Sequence, residues 1–445
     1  MKLTKVSLAA LVALGAFSSV ASATPLEEAI KNVDLSGFAR YRYTNDHYKS
    51  NPDTKAKTND TASHAFRMET AFKAAIDDNF FGVLRLRYSA TDGSGDNAGA
   101  GTDKTNTTGT FGVYEMYLGY KVANTTITAG KQLVKGFFID SDIAGTGLKV
   151  VSTDVPGLTL TAAAYDAIDN DAEIDLNAPV APAVVGTPKK DAFGHIKYKA
   201  KSPDIDGPLL SRLGSDEFSD AAGNIYNLGA MGSYDPVSFK VAITNIQEVA
   251  TLYGTEAGVS FNVTDDVNLN LKGQYAYSDS DHKKVADATF WAVQAGTKLF
   301  GAKLNAGYLD FDAKNKENDA KNKDKIAFTS IDGNGELINP TKILNGVMSG
   351  GSQYYNNIKG NNDYWFVNAG YDIDKFGFGA GYTQGKGTSY ALGKERAKRN
   401  EWSLDASYKY SKKLTFLSWY AAAKDKKDGE SYKQDRIRFE AKYSF

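Results

Sequence analysis

The chain ends on Gln434-Asp435-Arg436-Ile437-Arg438-Phe439-Glu440-Ala441-Lys442-Tyr443-Ser444-Phe445, and the reading of this stretch decides the fold. Ile437, Phe439, Ala441, Tyr443 and Phe445 share one face of an extended chain; Arg436, Arg438, Glu440, Lys442 and Ser444 share the other. Successive strand residues point to opposite faces, so this is a strand with one apolar and one charged side. A tilted strand of about 9–11 residues crosses a bilayer, and the segment is long enough. A sandwich strand alternates in the same way but seldom ends a chain on an aromatic residue, as strands of outer-membrane barrels commonly do. The segment therefore reads as the closing strand of a barrel.

At the other end, Lys2 and Lys5 precede an apolar run from Val6 to Val20 and the triplet Ala21-Ser22-Ala23. A basic start, an apolar core and an A-x-A site make a secretory leader, so residues 1–23 are set aside and residues 24–445 are read as one barrel domain. The apolar run is too short for a membrane helix, which needs about 20 residues. Without Lys2 and Lys5, the 52 Lys+Arg become 50 against 53 Asp+Glu, a formal charge of −3. That balance points to neither nucleic acid nor an anionic membrane surface as partner. Cysteine is absent, which removes disulfide frameworks and thiol catalysis. Tyr (26) and Phe (23) are abundant and Pro (10) is scarce, as suits many strands with aromatic belts. Only helices and closed barrels satisfy their backbone within lipid, and no helix-length apolar stretch follows the leader, so a membrane chain must here be a barrel.

Working back from the closing strand, the alternation recurs throughout. Val33–Tyr43 carries Leu35, Gly37, Ala39 and Tyr41 on one face with Arg40 and Arg42 on the other. His64–Asp77 sets Phe66, Met68, Phe72 and Ile76 against Arg67, Glu69 and Lys73; Phe80–Ala90 sets Leu84, Leu86 and Tyr88 against Arg85 and Arg87. Thr110–Lys121 places Tyr114, Met116, Leu118 and Tyr120 outward. Further strands are expected at Thr125–Lys131, Gly147–Ser152, Leu158–Asp166, Ile225–Tyr234, Val237–Gln247, Leu252–Val263, Val267–Ser278, Ala288–Phe300 and Ala302–Asp312. Asp363–Tyr371, Phe376–Gly385, Asn400–Ser411 and Leu414–Lys424 complete the set, and His195–Lys199 is a short extra candidate. The class is all-β, a transmembrane antiparallel β-barrel of about eighteen strands, with sixteen as the alternative. Short turns such as Asp235-Pro236, Asp265-Asp266 and Phe300-Gly301 alternate with long connections, the asymmetry between periplasmic turns and extracellular loops. An even count leaves both termini periplasmic, and a barrel this wide holds water rather than a side-chain core.

Candidate functional residues follow from heights along the strands. Arg40 and Arg87 lie seven residues above the periplasmic end, roughly 17 Å at ~3.3 Å rise and ~40° tilt. Arg438 is level with them, and Arg42, Arg67, Arg85 and Arg436 lie within a few residues. All project inward on strands that adjoin once the barrel closes, which makes a basic wall. Plain lumen residues paired with Glu69, Glu115 and Glu440 are the alternative, and both descriptions can hold. The third upper loop, Gln132–Thr146, is the least polar, with Leu133, Val134, Phe137, Phe138 and Ile139, and is expected to fold inward opposite that wall. It carries Asp140 and Asp142, so acidic loop and basic wall would set a transverse field across a narrowed pore. The two aspartates flank Ser141 in the manner of oxygen ligands for a hard cation such as Ca²⁺; solvated loop carboxylates are the alternative.

The blocks Thr24-Pro25-Leu26-Glu27-Glu28-Ala29-Ile30-Lys31, Asp34-Leu35-Ser36-Gly37 and Arg40-Tyr41-Arg42-Tyr43 resemble the Campylobacter-type major outer membrane porin family. So do Ala129-Gly130-Lys131-Gln132, Gly145-Thr146-Gly147-Leu148-Lys149-Val150-Val151, Gly157-Leu158-Thr159-Leu160 and Gly232-Ser233-Tyr234-Asp235. The resemblance implies a trimeric, eighteen-stranded general porin with an inward-folded third loop and a divalent cation near the constriction, for which Asp142 is the ligand carried over. This chain departs in a shorter third loop and unlike extracellular loops.

The expected function is a water-filled channel for ions and small hydrophilic solutes, set among outer-membrane lipid and lipopolysaccharide, without a required cofactor. A surface adhesin or structural barrel with an occluded lumen is the alternative, and an outer-membrane hydrolase the third. The four histidines (His47, His64, His195, His282) are scattered, no G-x-S-x-G or HExxH motif occurs, and the long loops 168–222 and 313–362 show no chemistry of their own.

Overall fold

A computed structural model describes residues 33–49, 59–95, 109–136, 139, 142–168, 189–190, 196–197, 224–314, 325–331, 336–344, 361–389 and 395–445. The first seven strands are β1 (Val33–Lys49), β2 (Asn59–Ala75), β3 (Phe80–Gly95), β4 (Gly112–Val122), β5 (Thr125–Leu133), β6 (Ala144–Ser152) and β7 (Leu158–Ile168). Two short pieces follow, β8 (Lys189–Lys190) and β9 (Ile196–Lys197), and then β10 (Ile225–Tyr234), β11 (Val237–Ile246), β12 (Ala250–Thr264) and β13 (Val267–Ser280). The last seven are β14 (Ala288–Leu299), β15 (Ala302–Ala313), β16 (Asn361–Ile373), β17 (Phe376–Ser389), β18 (Glu395–Lys409), β19 (Leu414–Lys427) and β20 (Glu430–Ser444). Apart from β8 and β9, which pair only with each other, all form one eighteen-stranded antiparallel sheet. β7 pairs with β10, and β20 pairs back onto β1, so the sheet closes.

Closure rests on the stretch quoted first. β20 lies against β1 from Ser444 opposite Phe38 to Lys433 opposite Lys49. The last residue is pinned beneath it: the Gly37 amide donates to the Phe445 carbonyl at 3.1 Å, and the Phe445 amide to the Gly37 carbonyl at 3.0 Å. A Cβ on Gly37 would sit 2.1 Å from the Glu69 carbonyl oxygen and 2.9 Å from the Phe445 ring, so this approach requires glycine.

The outer face is apolar and unpartnered, with side chains such as Leu118, Leu228, Leu271 and Leu404 exposed. Two aromatic belts bracket it. Phe80 packs on Tyr120 and Phe376 on Tyr408 (ring centroids 4.7 Å in each pair) at the end with short turns. Trp291 on Tyr308, Trp365 on Tyr382 and Trp402 on Tyr420 (5.2–5.4 Å) mark the other edge. Such a band between aromatic girdles is the surface a barrel shows to a bilayer. At the short-turn end, Asp77 accepts from the Asn79 and Phe80 amides at 2.8 and 2.7 Å, which holds its carboxyl below the usual range.

The structure corrects three readings. Strands run beyond their expected ends, β1 to Lys49, β2 from Asn59, β17 to Ser389 and β20 from Glu430, because the backbone ladder continues above the apolar band where alternation fades. Two upper connections, 247–249 and 428–429, are tight turns rather than long loops. Finally, Tyr114 faces inward. A bulge shifts the register so that Arg85 pairs with Glu115 but Leu86 with Val113, and Tyr114 and Glu115 both turn to the lumen. One extra residue in a strand moves all that follows to the other face. The leader at 1–23 and most of the 168–222 loop lie outside the described residues, and of His195–Lys199 only Ile196–Lys197 is described, as a strand.

A Gly37→Val variant should fail to close the seam, at a cost on the order of 1–3 kcal/mol or more from the forced backbone shift. The check is the yield of heat-modifiable folded barrel on a denaturing gel, which should fall well below wild type.

Candidate functional site

The lumen-facing residues of β20, β1, β2 and β3 form the expected basic wall, and register fixes who meets whom. Arg42 lies opposite Glu440 and Thr44 opposite Arg438 across β1–β20, while Asp46 faces Arg436. Arg40 sits between Lys442 on one side and Arg67 on the other. The wall is threaded with acids. Arg42 Nε donates to Glu440 at 2.9 Å, and Arg436 Nε to Asp46 at 2.6 Å. Arg85 meets Glu115 at 2.9 Å, and Glu115 also accepts from the Leu133 amide at 3.1 Å.

The third loop completes the densest part of this network. It comprises residues 134–143, tied at its base by the Val134 amide donating to the Ile143 carbonyl at 2.9 Å. Val134, Ile139 and Ile143 are buried, so the loop turns inward as its apolar content requires. It is shorter than expected because Gln132 and Leu133 pair with Gly145 and Ala144. Asp142 comes to rest on the arginines: Arg67 Nη1 and Nη2 donate to its two oxygens at 2.8 and 3.1 Å, and Arg87 lies 3.6 Å away. Arg67 and Arg87 also share Glu69, at 2.6 and 3.1 Å. Asp142 thus lies on the wall and not across the lumen from it. Ten residues reach out and back about 17 Å at most. Eighteen strands spaced ~4.8 Å and tilted ~40° enclose a barrel about 35 Å wide. Tyr114, brought inward by the bulge, seats the loop: its hydroxyl donates to the Asp142 carbonyl, and the Arg87 guanidinium lies 3.5 Å over its ring. Asp140 lies outside the described residues.

A second in-folded segment fills much of the remaining lumen. In the connection after β15, Ala327, Phe328, Thr329, Ser330, Ile331, Ile343 and Leu344 are fully or almost fully buried. Ala327, Phe328, Ile331, Ile343 and Leu344 join inward-facing Leu252, Phe290, Leu309, Phe311, Tyr364 and Phe366 in one apolar cluster. Each such side chain contributes about 1.5–3 kcal/mol by leaving water. Polar clamps fix the segment at both ends. Buried Glu401 on β18 accepts from the amides of Lys342, Ile343 and Leu344 at 2.6, 2.9 and 2.7 Å. Gln274 on β13 donates to the Glu336 carbonyl and accepts from the Ile338 amide, at 3.0 and 2.7 Å. Ile331 bridges to Ile139, so the two in-folded loops touch. Two runs carried the missed signal. Phe290-Trp291-Ala292-Val293 and Tyr364-Trp365-Phe366-Val367 are apolar on both faces, as strands covered on both sides are.

A closed barrel with aromatic belts, a charged wall and loops folded into the lumen is the anatomy of a porin. All of residues 1–445 match the model of the family described as Campylobacter major outer membrane protein. The chain belongs to that family. It is accordingly an outer-membrane porin, its short turns on the periplasmic side and its long loops outside. Among solved structures, this porin is similar to Pseudomonas aeruginosa OpdQ, with TM-score 0.61 and 12% identity over 93% of this chain and 99% of that one. It is also similar to P. aeruginosa OccK7 (OpdD), with TM-score 0.60 and 13% identity over 92% and 99%. A BenF-like porin from Pseudomonas fluorescens Pf-5 gives TM-score 0.59 and 10% identity over 93% and 99%. At these identities the likeness is one of fold. No curated protein sequence matches this porin.

Arg67→Ala takes from Glu69 and Asp142 the cation closest to both, while Arg85 and Arg87 stay beside them, and should cost about 1–3 kcal/mol. Tyr114→Phe keeps the ring under Arg87 and loses only the hydroxyl bond, so it should cost about 0.5–1.5 kcal/mol. Denaturant unfolding of both variants in detergent micelles measures the ratio.

Proposed function

We propose that ions and small hydrophilic solutes diffuse passively along the arginine wall of this porin, with no energy source and no catalytic step. One observation carries this reading: the lumen is divided. Arg42, Arg85 and Glu440 keep 17–29% of their side-chain surface open, whereas the inward faces of β14 to β16 are covered by residues 326–331 and 337–344. Water therefore has a charged side to follow and an apolar side that excludes it. The constriction is formed by Arg40, Arg42, Arg67, Arg85, Arg87 and Arg438 with Asp142. The competing reading, an occluded barrel serving as adhesin or scaffold, draws on the same sealed half. Planar-bilayer recordings decide: stepwise ohmic currents support the channel, and folded protein without conductance supports the scaffold.

The assembly is a homotrimer set among lipid and lipopolysaccharide, a reading supported by the family resemblance, with residues 1–23 as its cleaved leader. Native mass measurement in mild detergent showing monomer alone contradicts the trimer. Calcium finds little to hold it at Asp142. Ca²⁺ takes six to eight oxygens, but this carboxylate is engaged by Arg67 and Arg87. Among the described residues no three His, Asp or Glu groups cluster as metal ligands.

Two outcomes are expected. Glu401→Ala leaves two buried amides and one half-buried amide without an acceptor, about 1–3 kcal/mol for each buried one, so the loop should loosen and single-channel conductance should rise and become noisier. Selectivity should move in opposite directions for the two charge types: toward anions when Asp140 and Asp142 become Asn, toward cations when Arg40 and Arg87 are neutralised. Reversal potentials in a salt gradient read this, and no shift in either variant would remove these residues from the pore lining.

A further inference from the structure

Arg438 stands apart within the wall. Arg42, Arg67, Arg85, Arg87 and Arg436 each have a carboxylate within 3.1 Å. Arg438 has none among the described residues. Its Nε donates to Thr44 Oγ1 at 3.2 Å, and its guanidinium lies 5.0 Å over the Trp419 ring. One edge of the guanidinium and one of its faces are thus fixed, while the Nη1 and Nη2 edge has no acceptor among the described residues. The Lys342 ammonium of the in-folded loop lies 5.8 Å from the same indole and 4.0 Å from Asp405. Ile343 and Leu344 follow it in sequence and are buried in the apolar cluster that includes Trp419.

From this geometry we infer that Arg438, with Trp419 as platform, is a docking point for carboxylate-bearing solutes in transit. The inference rests on the channel reading above. A guanidinium fork matches the two oxygens of a planar carboxylate in parallel hydrogen bonds. Stacking on an indole orients that fork and stabilises the cation without neutralising it. The neighbouring Arg42 and Arg436 are already paired, so they do not compete for the incoming anion. The apolar surroundings favour a monoanion with an apolar body over inorganic phosphate, whose higher charge costs more to desolvate.

The probe is sodium benzoate at millimolar concentration, added to wild-type channels in planar bilayers with potassium chloride, and benzyl alcohol is its uncharged counterpart. Benzoate should give concentration-dependent blockades, and benzyl alcohol should give none. Arg438→Lys keeps the charge and removes the fork, and should shorten benzoate residence about tenfold, the equivalent of 1.4 kcal/mol. Trp419→Phe should shorten it less. Equal block by benzyl alcohol, or unchanged residence in Arg438→Lys, overturns the docking point. If the lysine variant does not fold, the wild-type comparison of benzoate with benzyl alcohol still decides. Ohmic conductance without any benzoate effect defeats this inference alone, whereas absence of conductance defeats the channel reading itself.

Discussion

Everything in this molecule depends on the seam between β1 and β20. Lipid offers a backbone amide no partner, and each unsatisfied group there costs several kcal/mol, so the sheet is either closed or not in a membrane. The seam joins the first described strand to the last, the most distant parts of the chain, through a register in which Thr44 meets Arg438 and Arg42 meets Glu440. The reciprocal amide–carbonyl pair of Gly37 and Phe445 finishes it. The same seam assembles the functional wall, because arginines from both chain ends become neighbours only when it forms. Closure and assembly of the wall are one event here.

Inside, two kinds of physics divide the lumen. On the seam side, a lattice of arginines and carboxylates keeps charge density high at modest net charge, with Glu69 shared among Arg67, Arg85 and Arg87. Each of these arginines meets two carboxylates, so the lattice is stiff. On the far side the hydrophobic effect has folded residues 326–331 and 337–344 into the barrel, and a buried carboxylate, Glu401, serves as an acceptor for backbone amides rather than as a charge for solutes. The pore is what these two halves leave between them. Residue 142 of the third loop belongs to the first half, and residue 139 of the same loop belongs to the second.

Much of this was legible in the sequence, and the remainder was hidden for identifiable reasons. Alternation gave the closing strand, the strand number and the inward direction of Arg42, Arg67, Arg85, Arg87 and Arg438, because period two is a local property. Local pattern does not carry a bulge, so Tyr114 was assigned to the wrong face even though its neighbours Met116 and Leu118 were right. Nor does it carry the reach of a loop: the charges of Asp142 and the arginines suggested opposition, whereas chain length dictates contact. The in-folded 326–344 segment resembles a surface loop when read alone. Its trace lies in its partners, the strands around Phe290 and Tyr364, where alternation gives way to continuous apolar sequence.

The division of the lumen is the central claim, and the absence of cysteine from the chain permits a direct test. Arg42→Cys places a thiol on the charged side, and Phe328→Cys places one within the apolar packing. Single-channel current is recorded before and after a charged, membrane-impermeant thiol reagent is added. The account predicts rapid modification with a lasting fall in current for Arg42→Cys and no change for Phe328→Cys. Rapid block through position 328 with none through position 42 would contradict it, since water would then be running on the side held here to be dry.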